Sequence, residues 1–223
     1  MNWRLFALSP LTGTVFNDDN MFVNRNKTRG LLEAITEYRI KYFAETDISV
    51  ADDDSLLSLL ERSGCTTLFI GLESIVPENL ANIQKSRFKF KNMAHYAEQC
   101  RRIHDHGIQV FGSFMVGLDH DTRDSLLRTR DFVLDNDIWA QYLFYTPFPG
   151  TRLREELIAD GRLTATDSNW DHYSCFDCVI PPLRMNVPEL EETVMEMYES
   201  TYSAEAHWSR LRLLYHNQHV LHH

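Results

Sequence analysis

The sequence predicts an α/β fold built on a parallel sheet or barrel, and three observations predict it. Strand-like and helix-like segments alternate five times, with starts roughly 25–40 residues apart, as βα units require. Three of the helical segments finish in glycine, the residue that takes the left-handed cap conformation without steric cost. After Trp170 the alternation stops, and a proline-containing loop leads into a helical extension.

The elements follow in order. TGTVF (Thr12–Phe16) reads as a buried strand. NKTRGLLEAITEY places Leu31, Leu32, Ile35 and Tyr38 on one helical face. KYFAETDI is strand-like. DDDSLLSLLERSGC is a helix that begins at the acidic run Asp52–Asp54 and ends at Gly64. TTLFIGLES is a buried strand, and NMAHYAEQCRRIHDHG a helix ending at Gly107. IQVFGSFMVG is a strand rich in β-branched and aromatic residues, followed by the helix TRDSLLRTRDFVLDND. IWAQYLFYTPF is a strand stopped by Pro147 and Pro149, and TRLREELIADG a helix ending at Gly161. CVIPPLRMNVPE then leads to one long helix from about Glu189 to Tyr215. Crossovers between such parallel strands are right-handed.

Composition excludes several classes of function. The 223 residues carry 22 basic and 32 acidic side chains, a formal net charge of −10. General nucleic-acid binding needs a basic stripe that displaces counterions, and anionic membranes repel such a surface. No apolar run approaches the roughly 20 residues of a membrane span. Four cysteines in a chain of this length make no disulfide framework, which predicts a reducing, cytoplasmic setting.

Ligands of parallel α/β folds bind at the C-terminal ends of the strands. All five predicted strands end in polar or backbone-exposing residues. These are Asn17–Asn20, Glu45–Asp47, Gly71–Ser74, Gly117–Asp121 and Thr146–Thr151. Asp121 and Asp52–Asp54 are expected to cap the helices that follow them. Glu73 is different: glutamate caps poorly, and it follows an apolar run that carries it to the top of the sheet. A carboxylate there can accept hydrogen bonds from a ribose or an amine. Gly71 and Gly117 either admit a flat ligand close to the backbone or serve packing. In PFPGT, Gly150 allows a positive backbone angle and Thr151 can cap the next helix.

His104 and His106 lie at a helix end and are expected to be exposed, their charge complementing the dipole. His216, His219, His222 and His223 belong to a terminal tail, where fraying is expected over ion binding. Cys175 and Cys178 form one C-x2-C pair. It supplies two ligands where a closed metal site needs about four, and it falls after the last strand. The pair reads as incidental, and no metal ligand set is predicted.

Taken in order, VFNDDNMFVNR, TLFIGLESI with ENLANIQK, GIQVFGSFMVGLDHDT, YLFYTPFPGTRLREELIADGRL and MNVPELEE resemble the radical S-adenosylmethionine (SAM) superfamily. The likeness runs from about Val15 to Ser203, and it is nearest to the branch with an N-terminal cobalamin-binding domain that includes the hopanoid C-2 methylases. The resemblance implies a partial (βα)6 TIM-like barrel missing its first βα unit, with TGTVF as the second strand and YLFY as the sixth. It implies a leader over residues 1–11 that does not match, the barrel over 12–165, and a C-terminal loop and long helix over 166–223. By the same resemblance, Glu73 and Ser74 contact the ribose or methionine part of SAM. Gly71, Met115, Gly117, Leu143, Phe144 and Tyr145 border it or its adenine, and Asp18, Asp19 and Asn20 form a substrate-facing rim.

The family holds a [4Fe-4S] cluster on C-x3-C-x2-C after its first strand, and that triplet is not in this sequence. Neither the cluster motif nor a cobalamin domain is matched. The expectation is therefore a truncated radical SAM core, inactive alone or dependent on a separate polypeptide for cluster and cobalamin. The parent reaction would be reductive cleavage of SAM for hydrogen abstraction or methyl transfer. The alternatives are a cluster-less SAM- or nucleoside-binding module, and an interaction subunit of a split enzyme that offers the open edge at TGTVF.

Overall fold

A computed structural model describes residues 13–83, 93–163 and 170–220. The expected leader over residues 1–11, His222 and His223 lie outside the described residues, as do the side chains of His216 and His219.

Five strands form one parallel sheet in sequential order: β1 (Thr14–Phe16), β2 (Tyr42–Thr46), β3 (Cys65–Glu73), β4 (Gln109–Val116) and β5 (Trp139–Phe144). Between them run α1 (Arg25–Thr36), α2 (Asp54–Ser63), α3 (Pro77–Ile83), α4 (Tyr96–Asp105) and α5 (Arg123–Asp135). After β5 come α6 (Arg152–Ala159), α7 (Val187–Thr201) and α8 (Ala204–Val220). The alternation read from the sequence is thus present. Helix α3 is an addition, begun by Pro77, whose fixed φ suits a first helical turn.

Side chains alternate across the sheet, so each strand serves two faces. One set, including Ala44, Leu68, Ile70, Leu72, Val110, Val116, Ala140 and Tyr142, joins Leu32, Leu56, Leu60, Ile103, Val133 and Leu190 of the helices in the main core. The other set is only partly covered. It holds Phe43, Phe69 and Phe111, whose neighbouring rings lie 6.2 and 5.5 Å apart. Further along this face come Gly71, Ser113 and Gln141, then Met115 beside Leu143.

Local signals fix the helix boundaries. Asn24 accepts from Lys27 N, Asp53 from Leu56 N, Thr151 from Arg154 N and Asn186 from Glu189 N, each capping a helix start. Of the run Asp52–Asp54, Asp53 therefore takes the capping role. The expected cap at Asp121 is not formed. Thr122 caps α5 in a reciprocal capping box with Ser125, and Asp121 turns inward instead. Gly64, Gly107 and Gly161 all have positive φ, as their positions predict. At Gly64 the demand is double: φ is +95°, and a Cβ would sit 2.0 Å from the Ile40 carbonyl oxygen.

The expected single C-terminal helix is two. The turn at Tyr202–Ser203 breaks it, with Ser203 Oγ accepting from Ala206 N to start α8. Tyr198 of α7 and Tyr202 at its C-cap both reach the outer edge of β5. Tyr198 Oη accepts from Tyr142 N at 2.8 Å and donates to Tyr142 O at 2.9 Å, while Tyr202 Oη donates to Ala140 O at 2.7 Å. Phenol groups therefore occupy backbone positions that a sixth strand would otherwise pair. At the other edge, β1 is three residues long and Val15 is 63% exposed.

His104 departs from its expectation. It is 7% exposed, because α4 buries the face carrying Tyr96, Gln99, Cys100, Ile103 and His104. His106 is also partly buried, with Nδ1 3.0 Å from Glu61 Oε2.

Candidate functional site at the strand ends

The C-terminal end of β3 carries the most irregular backbone of the rim. Its pairing with β4 shifts register between Gly71 and Glu73, a bulge that re-aims the last residue. Glu73 itself has φ +67°, a conformation that costs a non-glycine residue on the order of 1 kcal/mol or more. The next residue closes the turn: Ser74 N donates to Leu72 O, and Ser74 Oγ accepts from Val76 N at 3.0 Å. Glu73 is half-buried, and its charge acts on Tyr96 beneath it. Burial first, and the Glu73 carboxylate second, push the Tyr96 phenol upward in pKa. The Tyr96 hydroxyl donates to Leu72 O at 3.4 Å, so α4 supports the same bulge from the core side.

The structure sorts the predicted residues into groups. Gly71, Met115 and Leu143 are partly exposed on the sheet face that the described helices cover only in part. Glu73 stands at the end of that face. Ser74 is 4% exposed and committed to its turn. Phe144 packs in the main core on the helix-covered side, so its ring and that of Tyr145 do not share a face. Gly117 has φ +81°, and a Cβ there would meet Leu190 of α7 at 3.0 Å, which is a packing demand. Tyr145 turns toward a separate cavity beyond β5. Asp18 and Asp19 are exposed on the loop after β1.

Asn20 ties that loop to the next strand: its Nδ2 donates to Asp47 Oδ2 at 2.8 Å. Burial works to raise the Asp47 carboxyl. The Ser49 hydroxyl and N–H, the Asn20 amide and the Arg25 guanidinium outweigh it and hold Asp47 below the usual carboxylate range.

Sequence reasoning missed the clamp on the loop after β4. Asn79 of α3 donates to Asp121 Oδ1 at 2.6 Å and accepts from His120 N at 3.0 Å. Asp121 Oδ2 accepts from Leu118 N at 2.9 Å. Two buried side chains thus fix Leu118–Asp121 from both sides. The carboxyl is pushed up to about 6, chiefly by burial and against these hydrogen bonds. The spacing Asp119-His120-Asp121 gave no cue, because the partner lies 42 residues earlier.

A [4Fe-4S] cluster does not fit the cysteines present. Cys65 and Cys100 are fully buried thiols pushed up to about 12, chiefly by burial. In CFDC, Cys175 has φ +67° and its carbonyl accepts from Phe144 N at 2.8 Å, while Cys178 Sγ donates to Ile180 O at 3.2 Å. The segment extends the pairing of β5. Among the described residues no group of three or more His, Cys, Asp or Glu is arranged to hold a metal ion.

No family model matches the chain. Among curated proteins it is 28% identical over 198 residues to bacteriochlorophyllide d C-12(1)-methyltransferase of Chlorobaculum tepidum, spanning 88% of this chain and 42% of that protein. It is 26% identical over 160 residues to hopanoid C-2 methylase of Rhodopseudomonas palustris, spanning 69% of this chain and 30% of that protein. The chain spans less than half the length of these relatives. Its fold is shared with the radical SAM methyltransferase TsrM of Kitasatospora setae, solved with cobalamin and a [4Fe-4S] cluster bound. The TM-score is 0.58 at 18% identity, covering 91% of this chain and 37% of that one. In sequence the chain is thus similar to these methyltransferases, and in fold to TsrM.

Proposed function

We propose that these 223 residues form the SAM-binding part of a radical SAM methyltransferase-like enzyme, with the cofactor held across the ends of β3, β4 and β5. The observation that carries this reading is the β3 bulge. It sets a carboxylate in a strained left-handed conformation at the rim of a sheet face that the described helices cover only in part, and strain of that kind persists where a site requires it. The sequence relatives, whose names record methyl transfer, support the reaction class.

In this reading Glu73 accepts hydrogen bonds from the ribose hydroxyls or the amino group of SAM. Gly71 leaves room for the cofactor beside the strand, and Met115 and Leu143 offer it an apolar surface. Asp18, Asp19 and Asn20 form the rim on the substrate side. Bound SAM would supply the transferable methyl group or the radical precursor, and the protein would supply position and exclusion of water. The cluster ligands are not among the four cysteines, so reductive cleavage requires ligands from elsewhere.

A second reading is favoured by that last fact: a SAM- or nucleoside-binding module that carries out no redox step. Calorimetric titration with SAM, followed by anaerobic reconstitution with iron and sulfide, separates the two. Both readings predict SAM binding that weakens at least tenfold in Glu73→Ala. A stoichiometric cluster held by this chain alone would overturn the statement about its cysteines. Absence of SAM binding by the folded wild type would sink both readings.

A further inference from the structure

One row of residues on the partly covered sheet face is chemically unlike the rest. The strand registers set Glu45 of β2, Phe69 of β3, Phe111 of β4 and Trp139 of β5 side by side. Paired residues of parallel strands share a face, so these four side chains stand together. Phe43, two residues before Glu45, joins them: its ring lies 6.2 Å from that of Phe69, which lies 5.5 Å from that of Phe111. All five side chains are partly exposed.

The two ends of the row differ in cover and in charge. At the β5 end, α8 closes over Trp139. The Arg210 guanidinium lies 4.8 Å from the centre of that ring and is 1% exposed, and the His207 ring lies 5.2 Å away. At the β2 end stands the Glu45 carboxylate, partly buried beside the phenylalanines. It makes no ion pair or side-chain hydrogen bond among the described residues. A carboxylate half withdrawn from water favours a cation or a strong donor beside it. The strand residues of this face include no lysine, arginine or histidine to supply one. The next row offers no competing charge either: Gly71 leaves a gap, and Gln141 Nε2 donates to Ser113 Oγ at 3.2 Å.

We infer that this row binds a planar aromatic ligand carrying a cationic nitrogen, its ring system against Phe43, Phe69 and Phe111 and its nitrogen at Glu45. Each part answers one feature. Aromatic side chains favour a flat π-rich body, and a carboxylate favours a charged N–H donor. Arg210 at the far end sets the direction, because the ligand's cation is drawn to Glu45 and away from like charge. Gly71 joins this row to the strand ends where SAM is placed, so the ligand lies beside SAM as the substrate of the same site. That role rests on the SAM reading, whereas binding at Glu45 does not.

The test is calorimetric titration of the full chain with 2-naphthylmethylamine. 2-Naphthylacetate keeps the ring and reverses the charge, and cyclohexylmethylamine keeps the ammonium without the π surface. The naphthyl amine should bind saturably at one site, the acetate at least tenfold more weakly and the cyclohexyl amine at least threefold more weakly. Glu45→Gln should weaken the naphthyl amine at least tenfold and leave the thermal midpoint unchanged, and Phe69→Leu should weaken it about threefold. If either variant fails to fold, the three ligands on the wild type decide. Glu73→Ala should leave amine binding intact, and saturating SAM should not displace the amine. Absence of saturable binding, equal affinity for the three ligands, or unchanged affinity in folded Glu45→Gln would each overturn the proposal, and displacement by SAM would overturn the side-by-side arrangement. Amine binding by a folded chain that does not bind SAM would sink the SAM reading and leave this row standing.

Discussion

At neutral pH the interior holds a neutral imidazole, His104, and a carboxylate, Asp121, and their titrations oppose each other. Burial pushes His104 down to about 4, with Asp137 and Asp105 only partly offsetting it. Its contribution to stability is present above the ordinary histidine value of 6.5 and is lost as pH falls through about 4. Asp121 is raised from 3.8 to about 6, so its contribution is fully present below 3.8 and is lost as pH rises through about 6. Each amounts to roughly 1–2 kcal/mol by pH 5, with opposite sign. Denaturant unfolding of the wild type between pH 7 and 5 should therefore change little through this pair. His104→Gln should leave the titration of Asp121 unopposed and gain stability on acidification. Asp121→Asn should steepen the acid loss and cost about 1–3 kcal/mol at pH 7 by disturbing the clamp on Leu118 and Asn79. Identical pH profiles for all three proteins would refute this assignment. Neither residue's environment was legible in the sequence. His104 follows Ile103 on a helix whose buried face is wide enough to take both, and a terminal HDHG reads as a solvated end. Asp121 was legible as a helix-start residue, but Thr122 beside it competes for the cap and wins.

Among the elements, β5 and the two C-terminal helices carry the most distinctive arrangement. An edge strand offers unpaired backbone groups, and here the Tyr198 hydroxyl takes both the N–H and the C=O of Tyr142. Tyr198→Phe should cost about 1–3 kcal/mol in chemical denaturation and speed amide exchange at Tyr142, because two half-buried backbone groups lose their partner together. Unchanged exchange at Tyr142 would argue against edge closure by α7. At the opposite end of the β2–β3 unit, Gly64→Ala should destabilise by on the order of 3 kcal/mol or more, through positive φ and collision with the Ile40 carbonyl. The glycine was readable from its place after ERS, because few other residues end a helix that way. Strand order and the alternation of buried and half-buried residues were also readable, since period two is written directly in TTLFIGLE and IQVFGSFMV. The break between α7 and α8 was not. YESTYSAEA contains no glycine or proline, and the turn is marked by Ser203, which caps α8, just after Tyr198 and Tyr202 have bonded to β5.

On the scale of the whole molecule, the described helices cover one sheet face and leave the other partly open. The open face ends at the β3 bulge, and the family resemblance rests on segments that lie at or beside these strand ends. TLFIGLESI supplies the bulge, FMVGLDHDT the clamped loop, and YLFYTPFPGT the end of β5. The strand ends named from the sequence are strand ends in the structure, and the residues named there divide between the two sheet faces and the neighbouring loops. Phe144 and Ser74 are committed to core and turn, Gly117 to packing against Leu190, and Tyr145 to the neighbouring cavity. What remains on the open face is Gly71, Glu73, Met115 and Leu143. The central claim is that SAM binds across these residues, and hydrogen–deuterium exchange of the full chain with and without SAM tests it most directly. The account predicts added protection at Gly71–Ser74 and at Met115–Gly117, lost in Glu73→Ala. Unchanged exchange at both segments in saturating SAM, or protection confined to residues elsewhere, would contradict it.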